Sequence, residues 1–324
     1  MSRLKTVTLA PNALDRNGIS TTETLAAARL DYLINGALAT GFDRDGICAA
    51  QTPASAAAMT LNGASGTDFT SRKGVYVMIY AGGNESGRTF TVVGTDSNNQ
   101  IITENITGPN NQHTLGATRF YSITSVTPDA ATAGAVEIGH NGYIDFSQAQ
   151  HVAIYNAGND SGETIVVTGE DRYGNSVTDT ITGANSGTST TQNQNFGRVD
   201  RLTASGAGAG ATEAGVNGKC ESQWVILNYR GARFDSSISC EVSSDINATY
   251  QVQQTYDNPF SSDFSVGAFE TEATAYAHST ITSKTATFAG VLTSPVTAVR
   301  VQFTAHTAGS VTMNILQAGL GGAA

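Results

Sequence analysis

The chain has 324 residues, of which 40% are hydrophobic and only 14% charged, and its formal net charge is −10. An excess of 27 acidic over 17 basic residues disfavours a nucleic-acid partner, because phosphate contacts depend on Lys and Arg. No run of apolar residues approaches the roughly 18 that a membrane helix needs. The N-terminus has basic residues without an apolar stretch behind them, so we expect no signal peptide and folding in a cytoplasm.

Gly (35 residues), Thr, Ser and Asn are abundant, which favours short strands and tight turns over helices. Cys48, Cys220 and Cys240 are too few and too scattered for a disulfide framework. A bridge between Cys220 and Cys240 stays open as an alternative, but a cytoplasmic compartment favours free thiols.

Residues 1–73 contain a small repeat. Leu14-Asp-Arg-Asn-Gly-Ile19 returns as Phe42-Asp-Arg-Asp-Gly-Ile47, and Ile34-Asn-Gly-Ala37 returns as Leu61-Asn-Gly-Ala64. Between these motifs, residues 21–30 are predicted to form a short helix capped by Thr21 or Thr22. Neither copy is large enough to bury its own core. We therefore predict an N-terminal arm or small subdomain that packs on the rest of the chain or on a neighbouring subunit.

Residues 74–145 and 146–218 are two copies of one larger module. Tyr80-Ala-Gly-Gly-Asn-Glu-Ser-Gly87 is answered by Tyr155-Asn-Ala-Gly-Asn-Asp-Ser-Gly162, and Ile106-Thr-Gly108 by Ile181-Thr-Gly183. A repeat of this length is the size of a domain. Alternating apolar positions and Gly/Asn turns predict a small antiparallel β-sandwich of roughly five to seven strands in each copy.

An acidic residue interrupts the apolar face of the same strand in both modules. Glu104 lies between Ile102 and Ile106, and Asp179 holds the matching position in the second copy. A buried carboxylate without a partner is costly. We expect each acid to accept hydrogen bonds from a nearby loop, and keep a cation site as the alternative, because calcium needs several converging oxygen ligands.

Residues 219–324 are predicted to form a third, unrepeated β-sandwich, with strands near 236–242, 249–256, 296–303 and 310–315. Its first segment is Trp224-Val-Ile-Leu-Asn-Tyr229. We expect Trp224 to be a core anchor, with a carbohydrate groove lined by Trp224 and tyrosines as the alternative. The composition of residues 318–324 predicts a flexible tail.

Motifs that carry chemistry are missing from the sequence: it has no Gly-rich phosphate loop, nucleophile elbow or zinc-ligand spacing. We therefore predict that the protein is not an enzyme and has no catalytic, cofactor-binding or metal-binding residues. Asn105-Ile-Thr107 and Asn247-Ala-Thr249 match the glycosylation pattern but are expected to be strand residues. The five histidines are expected to be surface or sheet residues: His113, His140, His151, His278 and His306.

Several of these motifs resemble structural proteins of tailed bacteriophage virions. The resemblance rests on Gly158-Asn-Asp-Ser-Gly162 and Asp179-Thr-Ile-Thr-Gly183 of the module, on Asp43-Arg-Asp-Gly-Ile47 near the N-terminus, and on Tyr250-Gln-Val-Gln-Gln-Thr-Tyr-Asp-Asn-Pro259. It covers most of the chain, but turn-and-strand motifs specify a module type better than a role. It implies a non-enzymatic part of a head, neck or tail. The doubled motifs depart from the simplest single-module form and suggest an elongated molecule.

We accordingly predict an all-β protein of tandem antiparallel β-sandwich domains, immunoglobulin-like or jelly-roll-like, with an N-terminal arm or subdomain. The favoured function is a capsid decoration or cement protein on the outer head surface, located in the virion. Its expected partners are the major capsid protein, other virion proteins and further copies of itself, with neither nucleic acid nor membrane. A neck or tail adaptor or fibre, and an adhesin that binds a host-surface glycan, are the alternatives.

Overall fold

A computed structural model describes residues 3–25, 31–191, 195–229, 236–264, 268–292 and 294–317. The predicted all-β fold is confirmed: within these residues antiparallel sheets dominate, and the one α-helix is a single turn. The elements are β1 (Arg3–Leu9), β2 (Asp15–Glu23), β3 (Asp31–Tyr32), β4 (Asp43–Gln51), a 3-10 turn (Thr70–Arg72), β5 (Val75–Ala81), β6 (Thr89–Thr95), β7 (Ile101–Thr107), β8 (His113–Phe120), β9 (Ser122–Pro128), β10 (Val136–His140), β11 (Ile144–Gln150), β12 (Val152–Asn156), β13 (Thr164–Glu170), β14 (Ser176–Thr182), β15 (Thr188–Thr190), β16 (Phe196–Ala204), β17 (Thr212–Val216), β18 (Cys220–Glu221), β19 (Val225–Ile226), β20 (Ser236–Val242), β21 (Asn247–Thr255), α1 (Phe269–Glu272), β22 (Tyr276–Ala277), β23 (Phe288–Leu292), β24 (Ala298–Ala308) and β25 (Val311–Gln317).

The described strands form three sandwiches, each with its own apolar core. Module 1 packs the sheet β4-β10-β5-β8 against β7-β6-β9. Module 2 packs β15-β12-β17-β2 against β11-β16-β13-β14, with β3 added beside β16. The C-terminal domain packs β1-β25-β20-β23 against β18-β24-β21-β22, with β19 added beside β24. The two modules thus repeat the same order of elements.

The N-terminal segment is divided among all three sandwiches. β1 pairs with β25 in the C-terminal domain, β2 pairs with β17 in module 2, and β4 pairs with β10 in module 1. Each strand places a fully buried side chain in a different core: Leu9, Ile19 and Ile47. Of the two alternatives for residues 1–73, the structure shows packing on the rest of the chain, and the described strands do not form a subdomain of their own.

The pairing is nested, with the earliest strand joined to the latest domain. The chain starts in the C-terminal domain, passes through module 2 into module 1, and then returns through module 2 to the C-terminal domain. Two chain segments therefore cross each junction between neighbouring domains. Arg3 is paired with Gln317, so both ends of the described chain lie side by side in one sheet.

The repeated Asn-Gly motif of the N-terminal segment holds these added strands in place. The side chain of Asn35 accepts a hydrogen bond from the Thr21 amide at 3.0 Å, and Asn62 accepts one from the Ala49 amide at 3.0 Å. The next residue must be glycine, because a Cβ on Gly36 would lie 2.4 Å from a backbone atom of β2. The Asn-Gly motif thus fixes the backbone of an edge strand.

The helix predicted for residues 21–30 is wrong where the structure describes it. Thr21 and Thr22 belong to β2, and the Thr21 amide is bound by Asn35 instead of beginning a helix. Tertiary pairing with β17, almost 200 positions along the chain, overrides the local helix signal. Residues 26–30 and the predicted flexible tail, 318–324, lie outside the described residues.

The two modules share the turn chemistry that their sequences predict. Asn84 accepts hydrogen bonds from the amide and hydroxyl of Ser86, and Asn159 does the same for Ser161. Asp96 closes its hairpin by accepting from backbone amides, as does Asp171. Such side chains mimic a backbone turn and fix the direction of the chain.

Candidate functional sites

Glu104, the acidic residue that interrupts an apolar strand face in module 1, has a structural role. Glu104 on β7 accepts hydrogen bonds from the amides of Ala117 at 2.5 Å and Thr118 at 3.2 Å. These amides lie where β8 leaves regular pairing with β5, so the carboxylate satisfies donors of the irregular strand and ties the two sheets together. Gly116 leaves room for it, since a Cβ there would lie 2.5 Å from the carboxylate. The predicted hydrogen bonding is confirmed for Glu104.

Asp179, the counterpart in module 2, is also buried, with 7% of its surface exposed. Within the described residues, no group of three or more His, Cys, Asp or Glu side chains is placed to hold a metal ion. The cation alternative therefore gains no support from the geometry around either acid.

The other residues singled out by the sequence are mostly buried. The three cysteines are free thiols in domain cores, and burial raises the pKa of Cys48 and Cys240 to about 12. The disulfide alternative for Cys220 and Cys240 is thus wrong. Asn105 lies in β7 and Asn247 in β21, as expected.

Trp224 is buried, with 5% of its surface exposed, so it does not line an open groove. It anchors a small satellite cluster with Phe269, and its ring lies 4.5 Å from the guanidinium of Arg300. The main core of the C-terminal domain is instead built around Tyr250 and Phe303.

The histidines are structural, and most are more buried than a surface residue would be. His140 on β10 is fully buried, and its ring lies 2.9 Å from the guanidinium of Arg72. Burial and the charge of Arg72 lower its pKa. His113 and His306 are buried strand residues, and His278 is buried beside β22.

Ion pairs concentrate at the junction between module 1 and module 2. Asp200 accepts hydrogen bonds from Arg198 of its own strand, at 2.6 Å, and from Arg119 of module 1. Burial opposes the charge of Arg119, but Asp200 and Tyr76 together outweigh burial and raise the pKa of Arg119. Lys73 of module 1 reaches Glu170 of module 2 at 2.6 Å. The Arg119–Asp200 pair is mostly buried, so removing one partner is costly, whereas Lys73 is half exposed and its pair with Glu170 contributes less.

Arg198 is the centre of this junction, and its side chain is only 4% exposed. Its guanidinium lies 3.9 Å from the ring of Tyr143, donates to the backbone oxygen of Arg72 at 2.8 Å, and pairs with Asp145 at 3.2 Å. The planar fork of arginine suits this combination of stacking and several hydrogen bonds. Apart from Asp200 on its own strand, these partners lie at the start of module 1 and on the segment that links the two modules.

A second polar junction joins module 2 to the C-terminal domain around Glu221. His151 of module 2 lies 3.2 Å from the Glu221 carboxylate, Asn195 donates to it at 2.6 Å, and Gln302 donates to it at 2.5 Å. Burial opposes the charge of Glu221, but His151, Arg300 and Asn195 outweigh it and hold its pKa far below the ordinary range. Glu221 is therefore ionised throughout the neutral and mildly acidic range.

His151 carries a proton on both ring nitrogens when both of its contacts are made. Its Nδ1 lies 2.6 Å from the backbone oxygen of Thr191, which can only accept, and its Nε2 faces the Glu221 carboxylate. Burial opposes this charged form, but Glu221 and the Thr191 backbone oxygen together outweigh burial and raise the pKa of His151. The contacts thus favour a buried imidazolium–carboxylate pair over a neutral imidazole.

Equivalent residues of the two modules face the next domain: those of module 1 face module 2, and those of module 2 face the C-terminal domain. Tyr76 and His151 are equivalent, 75 positions apart, and Arg119 and Asn195 are equivalent, 76 positions apart. In module 1 this pair faces module 2, with the guanidinium of Arg201 5.3 Å from the Tyr76 ring. In module 2 the pair faces Glu221. The duplication preserved the position of an interface while the sequence changed its chemistry.

The three domains also line a shared cleft of about 410 Å³. Lys73 comes from module 1, Arg172 and Glu170 from module 2, and Val7 and Gln223 from the C-terminal domain. Its charges already have partners: Lys73 pairs with Glu170, and Arg172 donates to the Glu221 backbone oxygen at 2.9 Å. The cleft is thus a consequence of the junctions, with its charges occupied in holding them.

An exposed aromatic group lies on the C-terminal domain. The rings of Tyr256 and Tyr276 meet edge to face at 5.7 Å, and each side chain is half exposed. Gln254 donates to the Tyr256 hydroxyl at 3.1 Å, and Phe260 is 68% exposed. The carbohydrate groove considered from the sequence combined Trp224 with tyrosines. Because Trp224 is buried, it does not belong to this exposed group of tyrosines.

No family model, curated protein or solved structure matches this chain. None of the helices in the described residues has the length and apolar character needed to span a bilayer.

Proposed function

We propose that this chain is a non-enzymatic structural protein of a tailed-phage virion, and specifically a decoration or cement protein on the outer surface of the head. The observation that carries the proposal is the nested threading, which joins three sandwiches through two chain crossings at each junction. The resemblance of the turn and strand motifs to virion proteins supplies the biological setting.

The junction chemistry supports a role that needs fixed geometry. Arg198, Asp200 and Glu221 are nearly buried and are held by several partners each. Such networks favour one arrangement of domains over others, since an uncompensated buried charge is strongly destabilising. A part that reinforces or extends a shell needs rigid shape and contact area, and a specific contact of about 1,000 Å² or more would serve.

The location of the protein on an assembled particle tests this proposal. Gold-labelled antibodies against the purified chain are applied to intact particles and viewed by electron microscopy. Many labels spread over the head are expected for a decoration protein. Labels confined to one vertex or to the tail would favour the neck, adaptor or fibre alternative, and particles without label would contradict both.

The exposed pair Tyr256 and Tyr276 favours one second candidate, an adhesin that binds a host-surface glycan. Aromatic faces pack against the apolar face of sugar rings, and the nearby Gln254 amide supplies polar contacts. Binding of the whole chain to a glycan panel is compared with that of Tyr276→Ala. Tyr173→Ala, which removes a tyrosine of similar exposure elsewhere, is the control. Binding lost only with Tyr276→Ala would support the adhesin, and no binding by the wild type would remove it.

A further inference from the structure

The outer face of the sheet β1-β25-β20-β23 exposes a row of three apolar side chains, interrupted at β20 by the small residue Ser237. Leu4 on β1 is paired with Leu316 on β25, Leu316 with Ser237 on β20, and Ser237 with Val291 on β23, so the row crosses all four strands. Leu4 is 63% exposed, Val291 58% and Leu316 46%. Three large apolar side chains in one row on a solvent-facing sheet are typical of a contact surface.

Five of the remaining side chains of this face are polar and are hydrogen-bonded to one another: Thr6, Thr8, Glu241, Thr312 and Asn314. The hydroxyl of Thr6 donates to Asn314 at 2.8 Å, and Asn314 donates to Glu241 at 3.3 Å. The hydroxyls of Thr8 and Thr312 lie 3.0 Å apart. Polar groups that already have partners lose less on leaving water than unpaired ones. Covering this face therefore requires little compensation from the incoming surface.

The charge of the face also suits self-association. Among the described side chains pointing outward from the four strands, Glu241 is the single charged one. The whole chain carries a net charge of −10, so most contacts between two copies bring acidic surfaces together. This face is the exception, because two copies of it meet with little repulsion.

This sheet face has a raised part over β1 and β25 and a recessed part over β20 and β23. Leu4 and Leu316 form a ridge over β1 and β25. Over β20 and β23 the small residues Ser237, Ser239 and Ala289 form the floor of a groove of about 660 Å³, bounded by Val291. The ridge and the groove are the two halves of one self-complementary surface.

We propose that this face binds the same face of a second copy, forming a dimer with two-fold symmetry. A two-fold axis parallel to the strands, over the space between β25 and β20, places the ridge of each copy on the groove of the other. Leu316 then faces Ser237 of the second copy, and Leu4 faces its Val291. Isologous contacts of this kind are the commonest in homo-oligomers. The proposal rests on the sheet face alone and does not depend on a virion role.

The size of the contact predicts a weak dimer. Three strands of seven residues and one of five, spaced about 4.8 Å apart and rising about 3.3 Å per residue, cover roughly 410 Å² per copy. The total of about 800 Å² is below the usual range of stable complexes, so association should depend strongly on concentration. A particle surface that gathers many copies would bring the dimer into its working range.

Sedimentation equilibrium of the whole chain over a range of concentrations tests the proposal. The wild type should approach twice the monomer mass as the concentration rises. The double variant Leu4→Thr/Leu316→Thr introduces β-branched residues that favour strands but removes the ridge, and its dimerisation constant should weaken by at least about tenfold. Ile101→Thr is the matched control, because Ile101 is an 80% exposed apolar residue on module 1.

A chain that stays monomeric up to about 1 mM would overturn the proposal, since a specific interface binds more tightly than that. Association that is unchanged in the double variant would also overturn it, by showing that another surface is used. Unchanged far-ultraviolet circular dichroism and melting temperature verify that the variants are folded.

Cross-linking distinguishes the proposed orientation from other arrangements. Leu4→Cys and Val291→Cys are prepared as separate proteins and mixed with a bis-maleimide that spans the ~10 Å between packed sheets. The native cysteines are buried and should not react. The mixture should cross-link more than either protein alone, because the axis pairs position 4 of one copy with 291 of the other and leaves like positions on these outer strands roughly 17 Å apart. Equal yields in all three samples would contradict this axis.

Discussion

Gly94 and Gly169 occupy equivalent places in the two modules, where one strand shifts its register against the next. A Cβ on Gly94 would lie 1.9 Å from the backbone oxygen of Ser122, and one on Gly169 would lie 1.9 Å from that of Arg198. Asp96 and Asp171, two positions further on, close the hairpin turns. Each glycine makes room for a bulge in the paired strand, β9 or β16, and no sequence pattern beside the glycine indicates that bulge.

The substitution Gly94→Ala should destabilise module 1 by about 1–3 kcal/mol, because a methyl group there forces β6 and β9 apart. Gly87→Ala is the control, since nothing lies within 4 Å of a Cβ at that position. Urea unfolding of both variants measures the two free energies. A cost for Gly87→Ala equal to that for Gly94→Ala would contradict the steric explanation.

The pair of His151 and Glu221 should make stability depend on pH in a defined window. The raised pKa of His151 means that its contribution is complete below the ordinary value of 6.5 and is lost as the pH rises through the higher folded value. The lowered pKa of Glu221 means that its contribution is present above the ordinary value of 4.5 and is lost on acidification. The pair should thus stabilise the junction most between about pH 4.5 and 6.5.

His151→Gln keeps a neutral hydrogen-bond donor and removes the titration. The difference in unfolding free energy between wild type and His151→Gln should shrink between pH 6 and 9, measured by urea unfolding at constant ionic strength. Lys219, Arg172 and Arg300 also lie near the pair, but they remain in both proteins and cancel in the comparison. A difference that stays constant over this range would contradict a charged His151.

At the scale of strands, local patterns predicted the elements well and their pairing poorly. The strand predicted near 236–242 has the bounds that the structure shows, because alternation and flanking turns are local signals. The partner of each N-terminal strand is a long-range property. The motifs ending in Ile19 and Ile47 are nearly identical, and nothing within either specifies that the first joins module 2 and the second module 1.

Alanine substitutions in these two motifs test whether the first motif joins module 2 and the second joins module 1. Ile19→Ala should loosen module 2 and Ile47→Ala should loosen module 1, each at a cost of about 2–5 kcal/mol for a fully buried side chain. Hydrogen exchange followed by mass spectrometry locates the effect. Faster exchange is expected in β12 and β17 for Ile19→Ala, and in β5 and β10 for Ile47→Ala. The opposite assignment would show that the motifs pair in chain order.

For the whole molecule, the nested threading changes what its ends can do. The sequence predicts that residues 1–73 form an arm or small subdomain that packs on the rest of the chain or on a neighbouring subunit. The described part of 1–73 completes three cores of its own chain, so the surfaces open to a partner belong to the assembled domains. Both ends of the described chain lie in the C-terminal domain, beside the exposed row of Leu4 and Leu316.

The C-terminal domain should therefore fold only when β1 is supplied. A fragment of residues 219–317 lacks the strand that places Leu9 in the core and pairs with β25 over seven residues. Adding residues 3–10 after Gln317 through an Asn-Gly turn restores the strand as a hairpin, because Arg3 is paired with Gln317 and a two-residue turn joins such strands. The joined fragment should unfold cooperatively in urea, and the fragment without β1 should be largely unfolded or several kcal/mol less stable. As a control, Leu9→Asp in the joined fragment should cancel the gain, because the added strand would then bring a charge into the core.

A fragment 219–317 as stable as the joined one would show that β1 is dispensable and that the domain is complete without the start of the chain.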